Sequence, residues 1–275
     1  MNSGDTGARA DAASPVRPTV RELFLGRQFR VHRLVLLTLV VAVILVIAYV
    51  IKVSGSAELE GLPGVTRVDR EQHQVVLSST ITAAQAREVF DHSQQLAESW
   101  TLILGSARLA TGADPGAAST DSHDAVDLWH RLGTAGLTEP AVITVDAYVP
   151  RIDAEPSRPS RAIPVARALV AELSADDGAA VDRLAVQGDR TVTIMRVALR
   201  RPTEADAVLA LLDRVPGLTQ AVLGEQTKAQ VGVSDETAAE PACQAARKVL
   251  GGRTDIVLTV EIRPDVDAEG ETRRC

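Results

Sequence analysis

The sequence predicts a single transmembrane helix followed by an α+β ectodomain. That ectodomain is read as two related modules, each a ferredoxin-like (split βαβ) antiparallel sheet with helices on one face. Three observations carry this reading. Leu34–Ile51 holds no charge and only two hydroxyl side chains, Thr38 and Tyr49, where a bilayer core takes about 20 apolar residues in an α-helix. Residues after that run alternate between strand-like and helix-like apolar periods, as a folded domain does. From Thr191 the order reads strand, helix, strand, strand, helix, strand, which is the split βαβ plan.

The charge balance orients the expected span. Residues 1–33 carry six arginines against Asp5, Asp11 and Glu22, a net of +3 in a chain of −7. A basic flank stays cytoplasmic, so the expectation is a single-pass protein of the cell membrane, N-terminus cytoplasmic and C-terminal domain extracytoplasmic. Gly55 and Ala57 would suit a signal-peptide cleavage site. Such peptides have apolar regions of about 7 to 15 residues close to the N-terminus, and here 33 residues precede a longer run. An uncleaved signal-anchor is therefore preferred.

The acidic remainder argues against nucleic acid as a partner. Beyond the apolar run the aromatic residues are Phe90, Trp100, Trp129 and Tyr148, with none after residue 148. The second half therefore has no ring on which a sugar or base could stack.

In chain order, Val65–Asp69 and His73–Ser79 read as strands around a turn. Thr82 starts a helix to about Ser99, with Ala86, Val89, Phe90 and Leu96 on one face. Trp100–Ala107 reads as a strand, and 111–120 as a Gly/Ala/Asp/Pro/Ser loop. Asp121 caps a helix to Leu132. Ala141–Val149 alternates as a strand. Pro150–Pro164, with four prolines, reads as linker, and Val165–Leu173 as a connecting helix. Asp182–Gln187 with Thr191–Leu199, and Leu218–Leu223 with Lys228–Val233, read as hairpins. Thr203 and Thr237 are the expected caps of helices ending at Val215 and Leu250. Asp255–Ile262 is the most regular strand, and the last dozen residues read as a frayed tail. The boundaries are a cytoplasmic basic tail at 1–33, a transmembrane helix at 34–53, module 1 at 54–149, linker and connecting helix at 150–180, module 2 at 181–263 and a disordered tail at 264–275.

The halves repeat in two registers. LILG at 102–105 aligns with VLG at 222–224, whereas LPGVTRV at 62–68 aligns with VPGLTQA at 215–221. The repeating unit is thus either a whole module or a hairpin plus a helix. Leu184–Val192, Glu204–Val215 and Pro216–Leu218 resemble the BON-type modules of bacterial envelope proteins. Val68–Leu77 with Ala83–Phe90 match less closely, and the glycine those modules carry late in the hairpin is absent. The resemblance implies envelope maintenance, or binding of a lipid or protein partner, rather than catalysis.

Candidate chemistry is sparse. His123, Asp127 and His130 fall within about 60° on a helix, and two histidines with a carboxylate suit zinc. A solvent-facing polar face explains the same spacing and is preferred, so no metal, cofactor-binding or catalytic residue is assigned. His73 and His92 read as surface residues, and Ser78, Ser79 and Thr80 as a strand end. Glu98, Asp91 and Asp146 have no pattern that brings them together. No nucleophile elbow, phosphate loop or metalloprotease motif occurs. Cys243 sits on an apolar helix face as a small hydrophobe and Cys275 is terminal. Separate thiols are preferred to a cross-link. The expected function is a membrane-anchored extracytoplasmic interaction or scaffold component of a bacterial cell envelope, not an enzyme, touching the membrane through Leu34–Ile51 and a protein partner outside. The alternative is a ligand-binding sensor or transport accessory using the cleft between modules.

Overall fold

The computed structural model describes residues 35–46, 57–96, 98–111, 120–148, 151–174, 181–263 and 270–275. The chain divides into two units, residues 1–53 and 54–275.

In the first unit the described residues form one helix, α1 (35–46). Residues 34 and 47–53 of the expected span lie outside the described residues. Among the described residues no helix is long and apolar enough to cross a membrane. That finding overturns the expected single-pass span over Leu34–Ile51. The cell-membrane localisation, the cytoplasmic N-terminus and the extracytoplasmic C-terminal domain fall with it. Hydropathy counts apolar residues, but crossing also needs one continuous helix of sufficient length, which composition does not encode.

In the second unit the two ferredoxin-like modules are replaced by one mixed sheet of 12 strands, ordered β1 to β12 as in the chain. The strands come as six hairpins. These are β1 (Val65–Asp69) with β2 (Gln74–Leu77), β3 (Thr101–Leu104) with β4 (Ala107–Ala110), and β5 (Ala141–Asp146) with β6 (Arg151–Pro156). They continue with β7 (Arg183–Gln187) and β8 (Thr191–Met195), β9 (Leu218–Leu223) and β10 (Thr227–Val233), and β11 (Ile256–Ile262) and β12 (Glu271–Arg274). Each hairpin is antiparallel inside and joins the next through a parallel pair.

Helices make the parallel crossovers. α2 (Ala83–Gln94), α3 (Thr120–Ala135) and α4 (Ala162–Ser174) serve the first three; α5 (Arg196–Leu199) with α6 (Pro202–Leu212), then α7 (Glu236–Leu250), serve the last two. A parallel connection needs a dozen or more residues, usually a helix, whereas an antiparallel one needs only a turn. The repeat is therefore hairpin plus helix, the smaller unit. In a split βαβ module the crossover skips a strand position; here each crossover lands on the adjacent position. Apolar patterning fixes which face a strand buries, but not which neighbour it joins, so the sequence suits both topologies.

The register lines up one apolar row across nine strands: Leu104, Ala107, Ile143, Ala154, Val186, Val192, Ala221, Ala229 and Leu258. All nine are buried. The helices stack on this face, α2 against α3 and α4 against α6, with α7 over β10 and β11. Trp129 and Phe90 are the largest fully buried side chains beneath that layer.

Local signals explain most boundaries. Thr82 and Gln85 form a reciprocal capping box at α2. Helix α7 is capped by Asp235, which accepts from the Ala238 amide, rather than by Thr237. Pro202 opens α6, one residue before the expected cap at Thr203. Gly105, at φ +59°, turns β3 into β4. There α3 comes so close that a Cβ on Gly105 would lie 2.9 Å from the Gly133 carbonyl oxygen. Residues 151–156, read as linker, form β6. Residues 271–274, read as tail, form β12, which a Cys243–Cys275 disulfide ties to α7. The preference for separate thiols is corrected: β12 carries Cys275 back over the buried face of α7.

Candidate interaction surface

The second face of the sheet bears no helix of this unit among the described residues. The register places Ile103, Arg108, Thr144, Asp153, Ala185, Thr193, Val222, Lys228 and Val257 in one row on it. A parallel row runs Gln187, Thr191, Gln220, Gln230, Thr259 and Arg274. Most of these side chains are exposed or half-buried. Ala185 and Thr193, small residues near the middle, are buried. Gln230 Nε2 donates to Glu261 Oε2 over 2.8 Å, and the Thr219 hydroxyl donates to the Gln230 carbonyl.

Charge on this face concentrates at β6 and β7. Arg151 grips Asp153 two residues on, Nε to Oδ2 at 2.7 Å and Nη2 to Oδ1 at 2.9 Å. The hydrogen bond to Asp153 holds the Arg151 guanidinium above its ordinary pKa, with the charge of Asp153 adding to it. Arg183 lies opposite Arg151 in the parallel register and opposite Met195 in the hairpin. Its Nε is buried with no hydrogen-bond partner. Sequence reading missed both arginines. The alternation Arg-Ile-Asp-Ala-Glu at 151–155 was the available signal for β6, masked by the surrounding prolines.

The metal candidates point to different partners. His123 Nε2 meets Asp91 Oδ1 at 3.0 Å. Asp127 takes the Arg87 guanidinium, Nε to Oδ1 at 2.8 Å, and that pair raises the Arg87 pKa. His130 Nε2 donates to the Ile81 carbonyl at 2.8 Å. All three thus fasten α3 to α2 and to the turn before it. Among the described residues no group of three or more His, Cys, Asp or Glu is placed to hold a metal.

The remaining candidates are also dispersed. His73 Nε2 meets Glu98 Oε2 at 2.6 Å, with its ring 5.4 Å from that of Trp100. His92 Nδ1 lies 3.0 Å from the Glu88 carbonyl. Asp146 Oδ1 accepts from the Tyr148 amide at 2.8 Å. Ser78 Oγ accepts from the Thr80 amide at 3.2 Å, a strand-end turn.

One concave feature adjoins the bare face. A groove of about 470 Å³ opens between α5, α6 and the β9–β10 turn, with Val197, Ala198, Val208 and Leu223 along its walls. Its rim carries two pairs, Arg253 with Asp255 and Arg201 with Glu204, together with Glu225.

No family model, no curated protein and no solved structure matches this chain.

Proposed function

We propose that the second unit is a binding scaffold, a long sheet stiffened by helices on one side that offers its other side to a protein partner. One observation carries the reading. The nine-strand apolar row is fully covered by helices, while the opposite rows, equally continuous, are left to Thr, Gln, Arg, Asp and Val. An open face built mainly for solvent needs only scattered polar residues. This one instead keeps an arginine donor without an acceptor and an exposed apolar side chain, Met195. The resemblance to BON-type modules agrees with binding rather than catalysis. The cleft of the sensor alternative would lie between the two halves, at β6 and β7, and those strands pair directly.

A photo-reactive amino acid placed at Thr144 or Gln230 on the bare face, and at Arg247 on α7, tests the reading in the full chain made in its own cells. The scaffold reading expects one discrete cross-linked partner from both bare-face positions and none from Arg247. Cross-links from Arg247 alone, or from no position, would overturn it.

A further inference from the structure

We propose that Arg183, Met195 and the groove beyond Gly224 form one docking strip. It would take an extended peptide segment of a partner protein that carries a carboxylate two residues from a large apolar side chain. The inference rests on the scaffold reading and names what the bare face recognises.

Arg183 supplies the polar end. Its cross-strand neighbour Arg151 stands about 4.8 Å away along the sheet, and like charges placed opposite each other are unfavourable. Arg151 is answered by Asp153. Among the described residues Arg183 meets no carboxylate, and its buried Nε lacks an acceptor. Arg183 is only partly covered, and its guanidinium is a charge-assisted donor that an incoming carboxylate can meet.

Met195 supplies the next contact. It pairs with Arg183 on the other side and is 40% exposed, while Val197 is 36% exposed. Among the described residues of the second unit these are the large apolar side chains left open. Gly224 follows in line: a Cβ there would lie 3.5 Å from Met195 Cγ. Gly224 also lines the groove of about 470 Å³, a size suited to a side chain or small ligand. Beside the Arg253–Asp255 and Arg201–Glu204 pairs and the Glu225 carboxylate, the groove offers the apolar side chains of Val197 and Ala198 at its mouth.

The spacing sets the motif. Arg183, Met195 and Gly224 span two strand separations, about 10 Å. An extended peptide places side chains i and i+2 on one side about 7 Å apart, and side-chain reach covers the rest. The acidic character of the chain, −7 overall, does not oppose this. Across the β6–β7 pairing the charge that faces Arg183 is that of Arg151. The local field at Arg183 is set by its own row.

A double-mutant cycle tests the strip. A short fluorescent peptide with Glu and Leu two residues apart is titrated against the full chain, alongside its Glu→Gln and Leu→Ala versions. The proteins are the native chain, Arg183→Gln, Arg183→Lys, Gly224→Ala and, as a control on α7, Arg247→Gln, each checked by its melting curve. The peptide carboxylate should contribute about tenfold in affinity on the native chain and less than twofold on Arg183→Gln, with Arg183→Lys in between. Gly224→Ala, whose methyl sits at ordinary contact distance from Met195, should weaken the Leu peptide and leave its Leu→Ala version unchanged. An equal Glu→Gln effect on native and Arg183→Gln proteins would overturn the proposal. So would an equal loss in Arg247→Gln, or no binding at about 1 mM peptide. Those outcomes leave the bare-face cross-links untouched, so the strip can fail while the scaffold reading stands.

Discussion

Ile143→Ala probes whether the sheet works as one body. Ile143 is fully buried, and its neighbours in the apolar row are Ala107 and Ala154. Neither alanine has a side chain that could swing into the space left by three lost carbons. Above it, α3 packs on β5 with Trp129 and Leu132 themselves buried. A buried Ile→Ala change costs about 2 to 5 kcal/mol, most where the site cannot collapse, so about 4 kcal/mol is expected. At about 2 to 4 °C per kcal/mol for a domain of this size, the melting temperature should fall by about 8 to 16 °C. Calorimetry measures the shift, and hydrogen exchange with mass spectrometry locates it. Because β6 and β7 pair in register, amides of β7–β11 should lose protection together with those of β2–β6. Loss confined to residues before β6 would refute the continuous sheet and restore two independent bodies.

Two further perturbations follow from the edges and caps. The disulfide closes a separation of 32 residues, for which the chain-entropy model gives about 3.7 kcal/mol; reduction should release β12, read as faster exchange at 271–275, with the melting temperature lowered by no more than that figure implies. Asp235→Ala should destabilise the chain through the lost N-cap of α7, and Asp235→Asn much less. The Thr237 hydroxyl and the Ala238 amide hold the Asp235 carboxyl below its usual 3.8. A depressed folded pKa means its contribution is full above about pH 3.8 and is lost as pH falls through the lower folded value. In urea titrations at falling pH, Asp235→Asn should therefore lose less stability than the native chain over that window.

Particular elements show where the sequence was legible. β5 and β11 put an apolar residue at every buried position, Ala141, Ile143 and Val145 in one and Ile256, Leu258, Val260 and Ile262 in the other, so their existence and buried face were readable. The capping box at Thr82 is local chemistry and was equally readable. β4 was hidden because the tight turn at Gly105 made β3 and β4 look like one strand. β6 was hidden by flanking prolines, although its own residues alternate. β12 has only exposed, mostly charged residues; it exists through pairing to β11 and the disulfide, neither of which leaves a local signature. Strand order could not be read at all, since hairpin–helix ladders and split βαβ modules share one sequence of elements. The apolar run at 34–51 is a strong compositional signal, yet among the described residues no helix is long and apolar enough to cross a membrane. Arg183 illustrates the limit for the site. Its significance lies in having Arg151 on one side and Met195 on the other, and that requires knowing which strands are neighbours.

A cysteine pair across the middle of the sheet tests the account most directly. Asp153 and Ala185 face each other across the parallel β6–β7 junction on the bare side, within the reach of a disulfide for adjacent strands. Asp153→Cys with Ala185→Cys in the full chain should cross-link completely on mild oxidation, seen by mass analysis after proteolysis, alongside the native Cys243–Cys275 bond. If the new pair stays reduced while a control pair at Thr144 and Asp153, inside one hairpin, closes, then β6 and β7 are not neighbours and the single-sheet scaffold is wrong.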